Sequence, residues 1–247
     1  MGTSSPTNSP SNRRRLKEIV GVLLRHDLVH GVTPEKLRRI LEDLGPTFVK
    51  LGQIMSMRSD MLPLAYCTEL TRLRTEARPM TPEEVRVVLE EAFQSPLEEI
   101  FQSLSPRPLG SASIAQAHAA VLRDGRRVVV KVQRPGIRDT MARDIALLRK
   151  AAGLIKLATG TGDVVDFRMV LDEMWTAAQE ELDFLQEARH AMAFAQYNRD
   201  VAYIACPAVD QALTTGTVLV MEDIDGIQID DTKALAAAGY EDRKSVV

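Results

Sequence analysis

Cysteine is scarce in this chain of 247 residues. Only Cys67 and Cys206 occur, far apart and outside any metal-ligand spacing. That excludes a disulfide framework and a cysteine-based zinc site, and it fits a reducing compartment. Aromatic residues make up 4%, with a single Trp, too few for the stacking platforms that hold single-stranded nucleic acid. The net charge of −3 also argues against a general nucleic-acid binder. No apolar run approaches the roughly 18 residues that cross a bilayer. The opening "MGTSSPTNSPSNRRR" lacks the apolar stretch of a signal peptide. The expected setting is cytoplasmic, with a membrane surface as a peripheral contact.

What is present is ordinary for a globular protein: 45% hydrophobic and 26% charged residues. The length suffices for one sizeable core or two small domains. Charge is unevenly spread. Residues 1–58 carry ten Lys/Arg against five Asp/Glu, and residues 161–190 carry eight acids against two bases. Two solvated helix faces would explain this. The functional alternative is a basic surface for anionic lipid and an acidic site for a cation.

Residues 1–12 read as a disordered Ser/Pro/Asn tail. Helical spacing of Leu16, Val20, Leu23 and Leu24 predicts a helix within 13–30. Pro34 opens a second helix, interrupted near Gly45-Pro46, and another amphipathic stretch runs from about Pro63 to Thr75. Thr81-Pro82-Glu83-Glu84 is a capping box with Pro at the first helical position. Ser95-Pro96-Leu97-Glu98 repeats that grammar. The first hundred residues are therefore expected to be all helix. The texture changes near Ser105, where β-branched runs flank an Asp124-Gly125 turn, a strong hairpin pattern. Pro135-Gly136 ends the third strand. A helix follows, "TGTGD" breaks it, and one long helix is predicted from Phe167 to Asn198. Two short strands are expected near Tyr203–Cys206 and Thr217–Met221. The reading is α+β: a five-stranded antiparallel sheet plus a long helix, like a kinase small lobe, after an all-helical extension. The division expected is a tail (1–12), the helical extension (13–104), the small lobe (105–225) and the start of a large lobe (226–247).

Lys131 ends "VVVK" on a strand that reads as buried on both faces. Burying an ammonium is costly unless it is paired, so Lys131 asks for a carboxylate and an anionic ligand; the plainer alternative is a lysine that snorkels to water. The acidic stretch "EELDFLQEARH" offers Glu180, Glu181, Asp183 and Glu187. Asp183 and Glu187 stand i,i+4. Such clustered acids ask for Lys131, another lysine or a metal, unless they are a solvated face. Lys50 and Gln53 stand i,i+3 in an apolar segment and need partners, unless they form an exposed stripe. "GSASIAQAH" alone is a small-residue turn between strands or a phosphate-covering loop. His26, His30, His118 and His190 form no cluster and read as structural.

Taken together these segments resemble the UbiB/AarF atypical kinase family, from about residue 13 to the end. "LGPTFVKLGQIMSMRSDMLP" is similar to its KxGQ motif, through Lys50, Gly52 and Gln53. "PLGSASIAQAH" resembles its alanine-rich loop, "VVVKVQRPG" its nucleotide-contacting strand, "EELDFLQEA" its ExD motif, and "VLVMEDIDG" its hinge. The resemblance implies the fold of a protein kinase, with ATP and Mg²⁺ as cofactors and a link to ubiquinone or other isoprenoid lipids. It implies a nucleotide site built from Gly110, Ser111, Ala112, Ser113, Ile114, Ala115, Gln116 and Lys131, with adenine against Met221, Glu222 and Asp223. Glu187 would orient Lys131, while Lys50, Gln53, Glu181 and Asp183 would form a lid. Such a lid implies ATP hydrolysis or an unconventional lipid role rather than ordinary protein phosphorylation. The implied partners are a nucleotide, an anionic or isoprenoid lipid or membrane surface, and proteins of quinone synthesis, with no nucleic acid. A binding module without catalysis is the alternative.

Alanine and serine keep a loop thin but restrict φ relative to glycine, so this loop should be stiffer than a glycine-rich one. The chain departs from the family at Ala117, His190 and Asp223, where valine, asparagine and an aromatic are common. It also lacks the family's HADPHPGN-type loop and DFG-type aspartate. The expectation is an amino-terminal fragment, inactive alone, whose metal ligands lie in the missing large lobe; no metal-binding residue is assigned here.

Overall fold

The computed structural model describes residues 10–26, 32–60, 62–73, 78–159, 167–229 and 231–240. Most of the expected tail, His30, residues 160–166 of the expected helix break and the last seven residues lie outside them.

Within the extension expected over residues 13–104, α1 (Pro10–Arg25), α2 (Pro34–Leu44), α3 (Pro46–Ser56) and α4 (Leu64–Leu70) share a core apart from the sheet and form the helical extension proper. Thr33 caps α2, its side chain accepting from Lys36 N, with Pro34 in the first turn. Gly45, at φ 96°, makes the turn between α2 and α3 that other residues adopt only with strain. Val22, Ile40, Leu41, Phe48, Val49 and Leu70 share one core. Gly52 sits where α3 meets its neighbours: a Cβ there would lie 2.3 Å from Leu73 Cδ1 and 2.7 Å from Leu41 Cδ1. The glycine of "KLGQ" therefore serves close helix packing.

Next come α5 (Pro82–Phe93), α6 (Leu97–Ile100), β1 (Phe101–Leu104), β2 (Gly110–Ser111), β3 (Ala115–Leu122), β4 (Arg127–Gln133), α7 (Ile137–Thr159), α8 (Phe167–Glu181), α9 (Phe184–Tyr197), β5 (Val218–Glu222) and α10 (Thr232–Ala237). The α5 capping box forms as predicted, with Thr81 and Glu84 bonding reciprocally. The second repeat of that grammar does not: Pro96 holds the cap position of α6, and the Ser95 hydroxyl bonds Glu99 instead. The sheet is antiparallel, in the order β1-β3-β4-β5, with β2 pairing the other end of β3. Residues β1 and β2 thus form one edge, interrupted between Ser105 and Leu109. Strand β1 begins four residues before the texture change at Ser105.

Two elements differ from the sequence reading. Residues 203–206 join no ladder; Val209 alone bridges Met221, and Tyr203 is 90% exposed. The stretch holds one β-branched residue, Ile204, and is at most half-buried on one face, so little holds it in a sheet. The long helix is also in two pieces. Its first piece ends at Glu181; the Leu182 carbonyl accepts from Gln133 Nε2, and the Phe184 N–H donates to Gly216 O. Tertiary bonds take the backbone groups that would have continued the helix.

The sheet has two unlike faces. Ala120, Leu122, Val128, Val130, Val132, Val218 and Val220 pack under α5 and α6. On the opposite face Ala115 and Leu219 meet Met141, Ala178, Leu182 and Phe184. Leu51, Ile145 and Leu171 form the joint between the extension and α7–α8.

Candidate functional site

Strand alternation places Val129, Lys131 and Gln133 on the face away from α5. That face is only partly covered, so Lys131 is not buried on both sides as its sequence suggested. In register, Lys131 lies between Ala117 on β3 and Leu219 on β5. Its Nζ donates to both oxygens of Glu187, at 2.9 and 2.7 Å. The ammonium also stands 4.7 Å from the centre of the Phe184 ring, a cation–π contact the sequence did not reveal. The side chains are 28% and 38% exposed, so the pair is open to a ligand.

Glu187 owes its place to Asp183. Asp183 is the N-cap of α9, its side chain accepting from Leu185 N and Gln186 N. It is therefore outside the helix, and its expected i,i+4 relation to Glu187 within one continuous helix does not hold. Glu187 stands in the first turn of α9, where the helix dipole favours a carboxylate. Glu181 ends α8 and points the other way: Lys50 Nζ donates to Glu181 Oε1. That ion pair joins α3 to α8.

Lys50, Gln53, Glu181, Lys131 and residues 110–117 line one open cavity of about 510 Å³. This is within the usual size range of ligand sites. Its floor follows the period of β3: Ala115 and Ala117 share the Lys131 side, whereas Gln116 and His118 turn to the other. Gln116 Oε1 accepts from Met80 N at 2.7 Å, and its amide donates to His118 Nε2 at 2.8 Å. His118 Nδ1–H donates to Ser105 O, which leaves Nε2 as the acceptor. Burial pushes the His118 pKa down, against the raising effect of that bond to Ser105. Gln116 thus lines the cavity while its side chain serves a buried polar network, and His118 is structural. Arg134, which sequence reasoning missed, holds the loop from below: Nε donates to Ala112 O and Nη2 to Ser111 Oγ.

The hinge residues lie apart from the cavity that Lys131 lines. Met221 packs partly buried against the core of that face. Glu222 and Asp223 line a second cavity, of about 530 Å³, with Arg126, Arg127 and Asp210. The Glu222 N–H donates to Ala208 O and the Asp223 N–H to Arg127 O. Arg127 also holds the Asp223 carboxylate at 2.8 Å. These amides are committed within the protein. Among the described residues, no group of three His, Cys, Asp or Glu side chains could hold a metal ion.

Comparison with known proteins gives a consistent picture. Residues 72–247 match the model of the ABC1 atypical kinase-like domain. The chain is 39% identical over 236 residues to a Clostridium pasteurianum protein from the hydrogenase 1 5' region, covering 92% of this chain and 44% of that one. It is 39% identical over 209 residues to a Marinobacter nauticus protein described as "Probable protein kinase UbiB", covering 85% and 38%. A Mycobacterium tuberculosis protein, solved as a complex with erythromycin, has a similar structure. The TM-score is 0.55 at 28% identity, covering 87% of this chain and 53% of that one. The chain thus spans less than half the length of these curated relatives.

Proposed function

Because the chain belongs to the ABC1 atypical kinase-like family, which includes the UbiB proteins, we propose that it carries the nucleotide-binding lobe of an ATP-dependent atypical kinase or ATPase with a ubiquinone-related role. The observation that carries the reading is the Lys131–Glu187 pair opening into the same cavity as the small-residue loop. In kinases a strand lysine held by a helix glutamate contacts the nucleotide phosphates. Here Lys131 would hold the α- and β-phosphates, residues 110–116 would cover them, and Lys50, Gln53 and Glu181 would close the cavity mouth. Since the Glu222 and Asp223 amides are committed elsewhere, adenine would meet the hinge through carbonyl groups or from Ile224 onward. ATP supplies a transferable phosphoryl group. No described cluster of side chains fits Mg²⁺, so none is assigned to it. Isoprenoid lipid and proteins of quinone synthesis are partners proposed through the family alone. The test is MgATP binding by this chain, with hydrolysis measured on a version of the relatives' length. Lys131→Ala is expected to weaken MgATP binding at least about tenfold, the worth of a charged hydrogen-bonded contact. Unchanged binding would remove the proposed role.

One observation favours a second role at a membrane surface. On α1, Leu16, Val20 and Leu24 are 51%, 44% and 76% exposed. Their i, i+4, i+8 spacing makes one apolar stripe, flanked by Arg13, Arg14 and Lys17, a pattern that suits an anionic interface. No described helix is long and apolar enough to cross a membrane. Arg15 does not belong to the basic surface, since its guanidinium is bound to Asp144. Sedimentation with anionic vesicles should be salt-sensitive and lost in Leu24→Glu. Binding that survives this substitution would exclude α1 as the contact.

A further inference from the structure

The loop over the proposed nucleotide site does not take its shape from glycine. Gly110 has no positive φ, and a Cβ there would meet nothing within 4 Å. The shape comes instead from the residue after β4. The Arg134 N–H donates to Ile114 O at 2.9 Å. Its Nε donates to Ala112 O at 2.9 Å, and its Nη2 donates to Ser111 Oγ at 2.8 Å and Arg78 O at 2.9 Å. One residue thus reaches three members of the loop and the chain that leads out of the helical extension.

Every one of these acceptors is neutral. Glu84 attracts the guanidinium only from a distance, since its carboxylate bonds Thr81 N in the capping box. Burial without a carboxylate partner holds the Arg134 pKa below the ordinary arginine range. Leaving a cation half-buried in this way is costly unless its geometry is useful. The planar fork of arginine suits the task, because its donors address several acceptors in fixed directions.

We infer that Arg134 is the positioning residue of the site: it fixes residues 111–114 to the end of β4 and to the exit of the helical extension, so that the loop presents one shape to a phosphate-bearing ligand. The phosphate half of this inference rests on the nucleotide reading; the hold on the loop does not. Alanine and serine narrow the loop's backbone choices, and Arg134 removes what freedom remains.

Hydrogen–deuterium exchange on the 247-residue chain, as wild type, Arg134→Lys and Arg134→Gln, tests the hold. Amides of 111–115 should exchange about tenfold faster or more in both variants, the scale of a lost charged hydrogen bond, while the β3–β4 core keeps its rate. Should Arg134→Gln unfold, Ser111→Ala removes a single acceptor and should loosen the loop by a smaller factor. Wild-type exchange in the loop of the variants that stay folded overturns the inference. In parallel, MgATP and adenosine are titrated into wild type and Arg134→Lys. A loss of about tenfold for MgATP, with adenosine unchanged, supports positioning toward phosphate; equal loss for both overturns it. A wild type that binds neither ligand, with a loop still loosened by substitution, sinks the nucleotide reading and leaves the hold standing.

Discussion

Gln116 and His118 interrupt a run of alanines, yet their side chains turn away from the face that carries Lys131. They turn under α5 and satisfy each other between Met80 N and Ser105 O. His118 must stay neutral to accept from Gln116, and burial keeps it so by lowering its pKa. The unfolded chain takes up that proton near the ordinary value of about 6.5, whereas the folded chain resists until lower pH. The stability contributed by the neutral ring is therefore complete above about pH 6.5 and is lost as pH falls toward the folded pKa. In urea titrations at pH 7.5 and 5.5, wild type should lose more stability between the two than His118→Gln, whose amide can make the same two bonds. Equal losses would place the pH dependence elsewhere. The sequence already marked His118 as structural. It did not show which partners make it so, because the bond to Ser105 O depends on the interrupted edge of the sheet and Gln116 is itself held by Met80 N.

The elements that were legible are those whose ends are written locally. Thr33, Thr81 and Gly45 fix helix ends within a few residues, and Asp124-Gly125 fixes the hairpin: Gly125 takes φ 89° and Asp124 accepts from Arg126 N. The break between α8 and α9 was not legible, because its causes lie on β4 and before β5. Once the break exists, Asp183 serves as the cap of α9. Asp183→Ala should cost about 1 kcal/mol, a typical N-cap loss, and lower the thermal midpoint by about 2–4 °C for a chain of this size. Asp183→Ser, which can cap, should recover most of it. If both lower the midpoint equally, the cap is not what Asp183 supplies. The same dependence on distant partners hid Arg134. Its loop acceptors stand about twenty residues away and are backbone atoms or a single hydroxyl, so no pattern of residue types betrays them. By contrast, the resemblance anticipated the partnership of Lys131 with Glu187, and the geometry agrees.

At the scale of the whole molecule, both apolar packing and ion pairs anchor the helical extension. Leu51 packs with Ile145 and Leu171, Lys50 pairs with Glu181, and Arg15 binds Asp144. Of the two ion pairs the last is the deeper: Arg15 Nε and Nη2 reach the two Asp144 oxygens at 2.7 and 2.8 Å, and the Asp144 side chain is fully buried. Nη2 also donates to Leu44 O, at the end of α2. Removing Arg15 leaves Asp144 charged and fully buried, so Arg15→Ala should destabilise the chain by about 3 kcal/mol. Replacing both partners with apolar residues should cost much less. A double variant as unstable as the single one would show that packing, not charge, sets the loss. The two-faced sheet also predicts how the chain tolerates random change. Along β4, substitutions at Val128, Val130 and Val132 strike the core under α5 and should be rejected by any selection for soluble protein. Those at Val129 and Lys131 face the half-open side and should pass that selection, failing only where ligand binding is demanded. Two screens of one variant library would therefore trace the strand's pleat as a two-residue rhythm, separating the positions that build the lobe from those that use it.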